Sequence, residues 1–170
     1  MRVTITKKRL ELAAISVVVL TTLTVVVFAT PASGVVGTIL VRASFADPVD
    51  IKFKVQEGHM QEIIHVPNAK ETVMQQIVIA PGGTTGWHSH PGPAVALVKT
   101  GELTLFSSED PTCTGQTFSA GQGFVDSGQG HVHTARNLTQ NPTEVWVTYF
   151  DVPPGGAVRL DAPAPTNCGF

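Results

Sequence analysis

Short runs rich in Val, Ile, Thr and Phe recur along the chain, each closed within a few residues by glycine, proline, asparagine or aspartate. They cover 63–66, 72–80, 94–99, 103–107, 123–126, 133–137 and 144–150. β-branched and aromatic residues suit a pleated, half-buried surface, and the breakers between runs suit turns. The punctuation includes Pro81-Gly82-Gly83, Thr100-Gly101-Glu102, Ser127-Gly128-Gln129-Gly130 and Asn141-Pro142. No segment after Ala29 sustains a helical period. Many short strands at close spacing predict an all-β sandwich or barrel, with jelly rolls among the options. No internal repeat is present, and the proline-rich end from Pro153 to Pro165 reads as an extended tail.

The start of the chain follows another rule. Arg2, Lys7, Lys8 and Arg9 precede an uncharged stretch from Leu12 to Ala29. A basic region followed by an apolar one is the pattern of an export signal. At about 18 residues the stretch also approaches the length of a membrane span. Residues 1–34 are therefore expected to be a signal peptide, with Ala32 a possible cleavage point, or a transmembrane anchor, in either case with one hydrophobic helix. In both cases the basic residues stay inside and residues 35–170 form a single domain outside, membrane-anchored or secreted.

Charge and cysteine usage narrow the exported part further. The formal net charge is −2, and no Lys/Arg cluster follows Arg9, which argues against a nucleic-acid partner. The two cysteines, Cys113 and Cys168, are too far apart for a zinc ribbon or a redox pair. In an exported chain their simplest reading is one disulfide tying the tail to a mid-chain loop.

The chemistry concentrates in two segments. In "GWHSHPGP" His88 and His90 are separated by one residue, so on a strand both imidazoles face the same side. Neutral imidazole is a common ligand for borderline divalent cations. A third ligand must come from elsewhere, and "GQGHVHTARN" offers His131 and His133 beside a glycine-rich hinge.

These residues resemble the cupins. Gly82, five residues, His88, one residue, His90 and then Gly101 fit the first cupin motif; Gly130, two residues, His133, three residues and Asn137 fit the end of the second. The resemblance covers roughly 73–150 and implies a jelly-roll β-barrel holding a divalent metal. It also implies that His88, His90 and His133 are the ligands, leaving His131 beside the site or facing solvent. The chain departs from the pattern at Ala94, where the motif has a glutamate, at Gly128, where proline is usual, and at Gln122. Glu102, past the turn, cannot substitute for the glutamate.

Without that carboxylate, three neutral imidazoles favour Zn, Fe(II), Ni or Cu over Mn or Mg, and leave coordination positions open. Two functions fit: an exported module that binds a metal and a small ligand, or a metal-dependent enzyme of oxygenase or isomerase type acting on a small molecule. A membrane partner is implied only if the leader stays attached. Other polar residues have plainer readings. His59 and His65 are expected at the surface, Asp126 and Arg136 as a cross-strand ion pair, and Glu144 facing water. Trp87 and Phe124 could line a cavity but are read as core.

Overall fold

The computed structural model describes residues 29–57 and 60–170. The hydrophobic helix expected at the N-terminus, its basic flank and His59 lie outside these residues. Among the described residues there are strands and turns and no helix. In chain order the strands are β1 (Ser33–Ser44), β2 (Ile51–Glu57), β3 (Met60–Val66), β4 (Glu71–Thr84), β5 (His88–Ser89), β6 (Ala94–Thr100), β7 (Glu102–Ser107), β8 (Gln116–Ser119), β9 (Gly123–Asp126), β10 (His133–Arg136), β11 (Thr143–Val152) and β12 (Leu160–Asp161).

Ten of them form one antiparallel sheet in the order β12-β5-β10-β4-β11-β6-β9, with β1 added to β4 and the β7–β8 pair added to β10. The sheet curls into a jelly-roll-like barrel, while β2 and β3 form a separate hairpin. Alternation along β11 shows how the barrel fills. Val145, Val147 and Tyr149 point inward and are buried, whereas Trp146 between them is 38 % exposed. They meet Val73 and Ile79 of β4, Ala94, Ala96 and Val98 of β6, and Leu103 and Ala135 in one core. A smaller cluster of Trp87, Phe106 and Cys168 sits beside it, with Cys168 bonded to Cys113.

Three details differ from the expectations above. Pro81-Gly82-Gly83 does not end β4, because Gly82 N–H reaches the Asn137 carbonyl and Asn137 N–H reaches the Gly83 carbonyl. These two bonds replace the ladder that proline interrupts. The proline-rich tail also contributes a strand, since Leu160 and Asp161 pair with Ser89 and His88. At the other end, residues just ahead of β1 already belong to the fold. Ala29 bridges to Pro163, and Thr30 Oγ1 accepts the Trp87 N–H at 2.8 Å.

Candidate metal centre

Two turns aim the histidines. Gly86 has φ 67°, and a Cβ there would run into the Thr30 carbonyl, so the turn admits glycine alone. It delivers His88 into β5, and His90 lies just past that two-residue strand. On the other side Gly130, at φ 96°, ends the hinge, and His133 opens β10 as the register partner of His88. The three rings converge. Their centroids are 4.5 Å (His88–His133), 4.9 Å (His88–His90) and 5.1 Å (His90–His133) apart, and one nitrogen from each lies within 4.8 Å of the others. Each residue is about 5 % exposed or less.

The hydrogen bonds of this group fix its tautomers. His88 Nδ1 lies 2.8 Å from the Gly86 carbonyl, and His90 Nδ1 lies 2.6 Å from the Val158 carbonyl. A carbonyl only accepts, so both Nδ1 atoms carry the hydrogen and both Nε2 lone pairs are free for a cation. Burial, reinforced by the neighbouring His133, lowers His88 to about 2 and His90 to about 4. Both are neutral at physiological pH, as a metal ligand must be. His133 Nδ1 is buried without an aligned partner, 3.3 Å from Asp126 Oδ1. Three buried imidazoles, two of them neutral and locked with Nε2 free, fit a borderline divalent cation.

The remaining candidates divide clearly. His131 uses both ring nitrogens elsewhere: Nδ1 is 2.7 Å from Asp126 Oδ1 and Nε2 is 3.0 Å from Ser107 Oγ. Asp126 and Arg136 do not form the expected ion pair. Asp126 turns inward to His131 and His133, while the Arg136 guanidinium lies over the Phe170 ring at 4.5 Å. Burial works to raise the Asp126 carboxyl, but the imidazole N–H groups facing it outweigh that and hold it below its usual range. The same contact raises His131. Trp87 is core, whereas Phe124 lines the histidine cavity. Glu144 does not simply face water, because Gln76, Lys99 and Trp146 all donate to its Oε1. His65 is at the surface, 4.0 Å from Asp50. Glu102 is exposed, opposite Ser119.

The cavity enclosed by the histidines is small, about 50 Å³, room for an ion and a few waters. Ala94 lines it, so no carboxylate enters from the first motif. Asp126, expected only in an ion pair, and Arg159, to which the sequence assigns no role, also matter here. Asp126 lines both this cavity and a larger outer cleft bordered by Glu62, Glu109 and His131. Arg159 shares a second recess with His88 and His90, and its Nη2 is buried without a partner. The first could have been suspected from its place in the second motif segment; the second stands in a tail without pattern.

A jelly-roll-like barrel with histidines from both motif segments meeting inside it is the arrangement that the resemblance to the cupins implies. No family model matches the sequence, and no curated protein matches it. Solved structures similar to this chain include oxalate oxidase, 28% identical over 47% of this chain and 41% of that chain, with a TM-score of 0.41. A conserved protein with a double-stranded β-helix domain from Klebsiella pneumoniae is 22% identical over 73% of this chain and 91% of its own, at a TM-score of 0.45. The cupin-2 domain of an XRE family transcriptional regulator from Enterobacter cloacae is 18% identical over 71% and 99%, at 0.44. This chain spans less than half the length of the oxalate oxidase chain it matches.

Proposed function

We propose that this chain is an exported cupin-domain protein that binds one divalent metal through His88, His90 and His133. The observation that carries the reading is the convergence of three buried imidazoles, two of them pinned with Nε2 free. An all-nitrogen donor set favours Zn, Fe(II), Ni or Cu over Mn or Mg. The disulfide supports an oxidising compartment and so an exported domain. When bound, the metal supplies an electrophilic centre with open positions. The chain's own residues would hold it and exclude bulk water, and Arg159, whose Nη2 is buried without a partner, borders a recess shared with His88 and His90.

That guanidinium favours a second reading, in which a small anionic molecule is held next to the metal as ligand or substrate of an oxygenase- or isomerase-type reaction. Titration of the metal-stripped full chain separates the metals. Zn, Ni or Cu should bind at one equivalent, with Mn and Mg at least about 10-fold weaker. Equal or tighter binding of Mn overturns the all-nitrogen assignment.

A further inference from the structure

Ala94 stands where the first motif otherwise carries its carboxylate, and its register partner on the adjacent strand is Asp126. Facing residues of an antiparallel pair project to the same side of the sheet, and both of these line the histidine cavity. A carboxylate is thus present on the same wall, one strand over. Asp126 is 4 % exposed, so its charge must be met from within the protein. Its Oδ2 accepts the Gly128 N–H at 3.1 Å, and its Oδ1 lies 2.7 Å from His131 Nδ1 and 3.3 Å from His133 Nδ1. The last contact distinguishes His133 from the other two histidines. Their Nδ1 atoms are held by backbone carbonyls, whereas His133 Nδ1 has no aligned partner and faces a carboxylate.

Resting on the metal-binding reading above, we propose that Asp126 takes over the task of the absent motif glutamate, acting through His133 and not as a ligand. Its carboxylate groups closely with His131 and His133 but not with His88 and His90, so it stands behind one ligand instead of among all of them. A carboxylate accepting from the remote N–H of a ligand histidine fixes the ring's orientation and raises its basicity. It also places one negative charge beside a buried cation that three neutral rings leave uncompensated. His131, itself held by Ser107, grips the same Oδ1 and keeps the carboxylate from swinging into the cavity. Asp126 is in this sense a positioning residue.

Co(II) titration of the full chain, followed by visible absorption, tests the assignment. Asp126→Asn should bind Co(II) 10- to 100-fold more weakly, roughly the loss expected for an outer partner of a ligand histidine. The spectrum of the saturated complex should be unchanged, because all three ligands remain. Ala94→Glu in the Asp126→Asn background returns a carboxylate to the wall and should recover about 10-fold in affinity. Unchanged affinity in Asp126→Asn overturns the proposal. So does an altered saturated spectrum, which makes Asp126 a ligand, or a loss that Ala94→Glu does not recover, which makes its role structural. Wild-type protein that takes up no Co(II) removes the histidine reading itself, whereas wild-type binding matched by Asp126→Asn removes only this one.

Discussion

His88 and His133 face each other across the β5–β10 pair, register partner to register partner, with ring centroids 4.5 Å apart. The pairing is made by the backbone, so the two imidazoles meet whether or not a metal is there to draw them together. β5 is held on its other side by β12, and His90 is held by the Val158 carbonyl just ahead of β12. The C-terminal tail is therefore part of the site. Its anchoring, and the burial of rings that must stay neutral, give the metal-free protein measurable properties.

The first is a pH dependence. Unfolded histidine titrates near 6.5, but burial lowers His88 to about 2 and His90 to about 4 in the folded chain. Below pH 6.5 the unfolded chain binds protons that the folded chain refuses, so stability falls as the pH drops. The His90 contribution is exhausted near pH 4, and that of His88 continues below it. His131, which Asp126 raises, acts in the opposite sense but only above pH 6.5, so it does not mask the effect. Each imidazole contributes about 1 kcal/mol per pH unit within its window. Denaturant unfolding of metal-free protein at pH 7.5, 6 and 5 checks this; a flat profile from 6.5 to 5 contradicts it.

The second concerns Cys113–Cys168, which closes a separation of 55 residues. Chain entropy assigns such a crosslink about 4 kcal/mol. Cys168 packs on Trp87 and Phe106, and Phe170 lies against both of those rings, so an uncrosslinked tail would take that cluster with it. Replacing both cysteines by serine should lower unfolding free energy by roughly that amount. Native protein should show no reactive thiol before reduction, and two titratable thiols would refute the crosslink.

Gly128 gives a third. It adopts φ 62°, and a Cβ there would run into the Gly92 carbonyl, where the loops of the two motif segments touch. Proline, usual at this position in the motif, has φ fixed near −65° and cannot follow this path. Gly128→Ala should cost about 2 kcal/mol or more. Gly130→Ala, at φ 96° but with open space around its Cβ, should cost about 1 kcal/mol less. Thermal melts of the two variants decide it; equal losses contradict the contact with Gly92.

A fourth concerns placement. If residues 35–170 lie outside the cytoplasmic membrane, protease added to intact cells or spheroplasts should degrade the domain without lysis. Protection until lysis contradicts export. Thr30 accepts the Trp87 N–H and its own N–H reaches the Ala162 carbonyl, so the folded exported domain should retain Thr30. Intact mass of that domain reads its N-terminus, and a start at Ser33 contradicts the structural role of Thr30.

Much of this molecule was legible where pattern and burial coincide. The Val/Ile/Thr runs at 72–80, 94–99 and 144–150 fall inside β4, β6 and β11, and 123–126 coincides with β9. β1 escaped because both its faces are exposed, which leaves no alternation to read. β2 carries a clear signal, Ile51, Phe53 and Val55 alternating with Lys52, Lys54 and Gln56, although it is not among the runs predicted above. The histidines of the candidate site announced themselves through motif spacing. Asp126 did not, because its partner depends on which side of a four-residue strand faces the barrel. Arg159 was hidden for the same kind of reason: only the fold brings the tail against β5.

The most direct measurement is the metal content of His133→Ala beside His131→Ala in the purified full chain. His131 is committed to Asp126 and Ser107, whereas His133 meets His88 and His90 within 4.8 Å. Wild type and His131→Ala should each hold one equivalent of metal, the latter with at most a 10- to 100-fold loss of affinity. His133→Ala should hold none after dialysis against a weak chelator. Equal retention by the two variants, or a greater loss in His131→Ala, would contradict the three-histidine centre.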